Sequence, residues 1–156
     1  NHESPRRGET FVTRKIIKGL SAVSAGVQDR LLLGNLNARR DWGHAKDYVR
    51  AMHLMLQQKI PQDYVIATGM QYSVRDFVNV AAPYFGMFIE WQGSGYNEIG
   101  VDKRTGKTII GIDSRYYRPW DVESLLGYAG KAKQELNWKP EYSFHQLVED
   151  MCLHGQ

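Results

Sequence analysis

An α/β fold follows from the order of patterns along this chain, in which helical and strand-like segments alternate. Apolar residues recur at helical spacing over residues 9–25, 44–57 and 73–85. Short continuous apolar runs stand between them, Leu31–Leu33 and Tyr64–Ala67, of the kind that suits a strand buried on both faces. Glycines and prolines punctuate the changes from one pattern to the next.

Each element has a local reason. The helix over 9–25 carries Phe11, Val12, Ile16, Leu20 and Val23, and Gly26 ends it. Gly34 closes the strand Leu31–Leu33. The helix over 44–57 sets Ala45, Tyr48, Val49, Met52 and Leu56 on one side, which predicts that side to be buried. Ser73 is placed to N-cap a helix reaching Phe85, with Phe77, Val80, Ala81 and Tyr84 inward and Pro83 marking its stop or a kink. A strand over Met87–Trp91 leads into GSGYNEIG, read as a surface loop because its glycines match neither G-x-G-x-x-G nor a P-loop and no helix follows to receive a phosphate. The basic turn DKRTGK precedes a strand at 108–112, and short helices are expected at 120–126, 129–136 and 143–153. Strands are few for a complete doubly wound domain, and no strand–turn–helix carries a dinucleotide fingerprint.

Composition narrows the function. The 156 residues suffice for one domain with a core. With 42% hydrophobic and 24% charged residues, disorder is excluded. No apolar run nears the ~18 residues of a membrane span, and the start has no export signal. A membrane role is therefore not expected. The single cysteine, Cys152, fits a reducing compartment and a cytoplasmic location, as an idle or buried thiol. The net charge of +3 is spread in ones and twos, without the basic stripe that nucleic acid demands. A nucleotide diphosphate, which needs only two or three cations, fits better.

Three stretches can carry chemistry. In NHESPRRGE, Pro5 and Gly8 set a turn, while Asn1, His2, Arg6 and Arg7 offer hydrogen bonds and guanidinium forks; the alternative is a solvated charged loop. In RRDWGHAKDY, Arg40 stands just before a helix that Asp41 helps to start, with Trp42 as anchor. Arg40 can meet a diphosphate, or pair with Asp41 or Asp47. In RYYRPWDVESLLG, Arg118 and Asp121 lie three apart. They can converge on one nucleotide, or Asp121 can simply cap a helix. The five histidines have no partner at metal-ligand spacing, and His53 reads as partly buried. No tyrosine is followed four positions later by lysine, and there is no G-x-S-x-G elbow.

NHESPRRGETFVTRKI, LGNLNARRDWGHAKDYV, YVIATGMQYSVRDFV and RYYRPWDVESLLG with KAKQELNWKP together resemble the C-terminal half of the GDP-mannose 4,6-dehydratases. These are extended short-chain dehydrogenase/reductases that use NADP. The resemblance covers essentially the whole chain. It implies the C-terminal part of a Rossmann-type fold, beginning just after the family's sixth Rossmann strand. Residues of about 35–68 would supply the last Rossmann strand and helix, and 8–34 with 69–156 a small mixed α/β sugar-nucleotide domain. The dinucleotide-binding domain would lie outside these residues.

By the same resemblance, Asn1 touches the sugar-nucleotide near its phosphates, His2 and Arg7 bind NADP, and Arg6 approaches a neighbouring subunit and its cofactor in a dimer or tetramer. Val12 forms an apolar wall, Lys15 holds the GDP moiety, and Arg40 and Arg118 clamp the diphosphate. Asp121 stands where relatives usually have glutamate for the ribose, one methylene shorter. The family's acid/base tyrosine, lysine, threonine and glutamate have no counterpart in this sequence. The implied enzyme is a lyase acting on GDP-mannose, in the supply of fucose-type deoxyhexoses, and this chain alone is expected to be inactive. A non-catalytic nucleotide-sugar-binding module remains an alternative, as does a related GDP-sugar reductase or epimerase.

Overall fold

A computed structural model describes residues 1–117 and 122–155. Strand β1 (His2–Glu3) leads through the Pro5 turn to helix α1 (Val12–Ser24) and strand β2 (Leu31–Leu33). Two short strands, β3 (Arg39–Arg40) and β4 (Gly43–His44), precede helix α2 (Ala45–Leu56). Next come β5 (Tyr72–Ser73), α3 (Val74–Ala81) and a 3-10 turn, Ala82–Phe85, which Gly86 closes at φ 75°. Strands β6 (Ile89–Gln92), β7 (Ile99–Asp102) and β8 (Thr108–Ile112) form a meander. Strand β9 (Ser124–Leu125) and helices α4 (Gly130–Glu135) and α5 (Phe144–His154) complete the described chain.

Three small sheets result. β2, β8, β7 and β6 lie side by side in that order, with β2 parallel to β8 and the other pairs antiparallel. β1 pairs parallel with β4, His2 opposite Gly43 and Glu3 opposite His44. β3 is the centre of the third sheet, antiparallel to β5 and parallel to β9. The main core lies among α1, α3, α5 and the inner face of the first sheet. Ile16, Ile17, Leu20, Phe77, Val78, Ile110, Val148 and Met151 are fully enclosed there. Trp42 is held edge-on to Phe77 at 5.6 Å and stacked with Phe144 at 6.3 Å, so the residue between Asp41 and Gly43 is pinned by the core. A second cluster joins α2 to α4 through Ala51, Ala132, Leu136 and Trp138.

Several expectations hold. Ser73 caps α3 in a reciprocal capping box with Asp76, and Pro83 falls where the α-helix tightens to 3-10. Cys152 is buried, and burial followed by the nearby Glu149 pushes its thiol up to about 12, so it is inert.

Others are corrected. Tyr64–Ala67 is not a strand: among the described residues it has no ladder partner, and its exposure does not alternate, Val65 being 56% exposed and Ala67, two residues on, 7%. Instead Tyr64 and Ile66 pack on the second cluster. On α2 the buried positions are Asp47, Tyr48 and Ala51, whereas Val49, Met52 and Leu56 face outward and His53 is exposed. Asp47 is inward because its carboxylate accepts from the backbone N–H of Glu141 (3.0 Å) and Tyr142 (3.1 Å) and its carbonyl accepts from Trp138 Nε1 (2.8 Å). Those bonds rotate the helix away from its apolar moment. Tyr84 is 45% exposed beyond the Pro83 break. The end of GSGYNEIG is strand β7, paired on both sides. Residues 122–126 contain β9 rather than a helix, because Arg39 N and Asp41 N bond to Glu123 O and Leu125 O.

Candidate functional site

Helix α1 and strand β3 define the site. On α1, Val12 and Lys15 stand three residues apart and therefore on one face. Asn1, just before β1, and Glu3, on it, belong to the same lining. These residues, with Arg7, Arg40, Arg115 and Tyr116, line a single cleft of about 630 Å³ floored by Leu33, Ala38, Trp42 and Val74. Gly34 forms part of its wall, where the backbone of Tyr116 comes so close that a Cβ would lie 2.1 Å from its carbonyl oxygen. Only glycine permits that approach.

The cations of the cleft are individually braced. Arg7 Nε faces Glu3 Oε2 at 3.2 Å, and its guanidinium carbon lies 3.5 Å from the Phe11 ring centroid. Lys15 Nζ sits 3.1 Å from the Tyr116 ring centroid. Burial lowers the Lys15 ammonium pKa; Asp113 opposes this and Arg115 adds to it. An incoming anion would relieve that deficit of negative charge. Arg40 Nη1 donates to Arg39 O (2.8 Å) and Val122 O (2.6 Å), which ties it to the chain entering β9. Arg115 is bound at 2.6 Å by Asp113, its carboxylate held low first by the Arg115 hydrogen bonds. Among the described residues no cluster could hold a metal ion, and no helix is long and apolar enough to cross a membrane.

Of the expected site residues, Asn1, Arg7, Val12, Lys15 and Arg40 come together in this cleft. His2 lies outside it, exposed, with its ring 5.3 Å from that of Tyr48. Arg6 is also exposed and outside the cleft lining. Arg118 and Asp121 lie outside the described residues. Asp41 starts no helix; it is 4% exposed, and its carboxylate accepts from Thr68 N (2.9 Å), Thr68 Oγ1 (2.5 Å) and Gly69 N (2.9 Å). The cap of α2 is the His44 side chain, which accepts from Lys46 N. Its Nε2 then donates to Asp150 Oδ2 at 3.0 Å.

Sequence reasoning overlooked Glu3, Arg115 and Tyr116. For Arg115 the Asp113-x-Arg115 spacing was a usable signal. For Glu3 there was none, since its burial depends on Thr13 ten residues away.

The model of the family described as GDP-mannose 4,6 dehydratase matches residues 1–151. The chain belongs to the GDP-mannose 4,6-dehydratase family. It is similar to the GDP-mannose 4,6-dehydratase of Sinorhizobium fredii, 55% identical over 97% of this chain and 43% of that protein. It is likewise similar to the human GDP-mannose 4,6 dehydratase, 53% identical over 97% of this chain and 41% of that one. The chain thus spans less than half the length of these family members, matching their C-terminal part. Among solved structures it resembles RMD from Pseudomonas aeruginosa complexed with NADPH, with a TM-score of 0.78 at 18% identity, over 99% of this chain and 45% of that one. It also resembles dTDP-glucose 4,6-dehydratase from Bacillus anthracis in complex with NAD, at 0.70 and 18%, over 99% and 41%. Both likenesses establish the fold expected of the family, that of the extended short-chain dehydrogenase/reductases.

Proposed function

We propose that this chain is the GDP-mannose-binding portion of an NADP-dependent GDP-mannose 4,6-dehydratase, a lyase that forms GDP-4-keto-6-deoxy-D-mannose and water in deoxyhexose synthesis. The observation that carries this reading is the convergence of Lys15 and Arg40, from elements far apart in sequence, on one cleft with Arg7 and Arg115. The arginine forks suit phosphate oxygens, and Lys15 adds a point charge. Val12 and Trp42 supply apolar wall. Arg118 and Asp121, outside the described residues, are assigned to the second half of the clamp and to the ribose on family resemblance alone.

The residues present also fit part of the cofactor. The exposed ring of His2 and the braced guanidinium of Arg7 offer it a hydrogen-bonding edge and a cation. NADP, when bound, supplies reversible hydride exchange with the hexose. The residues of this chain hold the nucleotide end and so keep the reacting sugar in register, which converts remote binding free energy into orientation. The acid/base groups are to come from a separate stretch of polypeptide, since no tyrosine here has a lysine four residues on. This chain is therefore expected to bind and not to turn over GDP-mannose. The exposed Arg6 supports a contact with a neighbouring subunit in a homo-oligomer, and the single buried cysteine, Cys152, suits the cytoplasm.

Calorimetric titration of the 156-residue chain with GDP and GMP tests the reading. A grip on two phosphoryl groups predicts GDP tighter by about tenfold or more, the value of one further charge-assisted contact. Equal affinities, or no binding of either, would contradict it.

A further inference from the structure

Among the Asp, Glu, Lys and Arg side chains that line the cleft, all but one are cationic. Arg7, Lys15, Arg40 and Arg115 face it, and Glu3 is the single acid among the lining residues. Glu3 is only 4% exposed. Its Oε2 accepts from the Thr13 hydroxyl at 2.6 Å and meets Arg7 Nε at 3.2 Å. Its Oε1 accepts no hydrogen bond from any described residue. An ionised carboxylate has about four acceptor positions, and Oε1, which is not among the fully enclosed unpartnered side-chain atoms, leaves its own open to a donor from outside the protein. Burial raises the Glu3 carboxyl, and the Thr13 bond and Arg7 only partly offset it. The group lacks a donor, and the open side is the cleft.

What donor fits is decided by charge. A phosphate oxygen is repelled by a carboxylate, whereas a hydroxyl donates to it well. The cleft therefore has two ends of different chemistry: Lys15 and Arg40 for an anion, and the Asn1–Glu3 side of β1 for a neutral polyol. Asn1 immediately precedes β1 and Glu3 lies on it, and both line the cleft. We infer that Glu3 is a specificity-determining residue, whose free carboxylate oxygen accepts a hydroxyl from the hexose of a nucleoside-diphosphate sugar. The inference rests on the cleft being a nucleotide-sugar site. It adds which residue distinguishes the sugar from the bare diphosphate. Arg7 and Thr13 hold the carboxylate in place, and the otherwise acid-free first turn of α1 lies against it.

The test compares GDP-mannose with GDP as ligands of the 156-residue chain and of Glu3→Gln. The ratio of the GDP-mannose to the GDP dissociation constant is expected to rise about tenfold in the variant, the loss of a hydroxyl–carboxylate bond. An unchanged ratio, with GDP still bound, would overturn the role of Glu3 alone. Absence of GDP binding by the unmodified chain would overturn the nucleotide-sugar reading and this inference with it. Should Glu3→Gln not fold, saturation-transfer NMR on the unmodified chain decides instead. Transfer to the hexose protons of GDP-mannose is expected; transfer confined to guanosine would overturn the assignment.

Discussion

Asp41→Ala is expected to lower the free energy of unfolding by about 3 kcal/mol, from the loss of three hydrogen bonds to a buried carboxylate at roughly 1 kcal/mol each. The Asp41 carboxylate is buried and takes Thr68 N, Thr68 Oγ1 and Gly69 N, all within 2.9 Å, with Gly127 N farther away at 3.4 Å. These bonds fasten the 64–69 segment and the chain after β9 to the link between β3 and β4. Alanine removes every acceptor at once, and only the Thr68 hydroxyl has a second partner, Met70 O at 3.3 Å. Asp41→Asn keeps one acceptor but points an NH₂ at a backbone N–H, so an intermediate loss is expected. Urea denaturation with an unchanged m value would measure both. A loss below about 1 kcal/mol for alanine would show that the hub is dispensable.

The second large effect concerns the ligand. Replacing Lys15 and Arg40 together by alanine is expected to weaken GDP binding about thirtyfold or more, on the order of 2 kcal/mol. Both side chains are only partly buried, at the surface of the cleft, so the fold should survive the change. The Arg40 contact with Val122 O would be lost, which loosens the entry to β9. Arg40→Lys separates charge from shape, since a lysine keeps the cation but cannot fork. Its affinity should fall between the two. A change of less than about threefold in the double variant would place the phosphates elsewhere.

Much of the scaffold was legible because its causes are local. Ser73 with Asp76 three residues on is a capping box in any context, and Phe77 and Ala81 behind it face the core as their spacing of four requires. The α1 stripe of Ile16 and Leu20 is likewise buried. The misreadings share a different cause: the deciding partner is distant in sequence. Val49, Met52 and Leu56 make a convincing inner face until Asp47 is drawn inward by the backbone of residues 141 and 142. Tyr64–Ala67 has the composition of a strand, yet a strand exists only where another pairs with it. The Ser124–Leu125 bridge to β3 spans more than eighty residues and leaves no periodic trace. At the site, the cations could be singled out from short motifs and family resemblance, but their common cleft could not. Glu3 escaped notice because an acid in a charged loop looks solvated until Thr13 closes over it.

The central claim is that separated cations of this chain meet on one diphosphate. It is tested most directly by following backbone amide resonances of the uniformly ¹⁵N-labelled chain during titration with GDP. The cleft described here predicts saturable shifts clustered at Asn1–Arg7, Val12–Lys15, Gly34–Arg40 and Arg115–Tyr116, with α4 and the outer face of α2 unmoved. Shifts centred away from Lys15 and Arg40, or none at millimolar GDP, would contradict it.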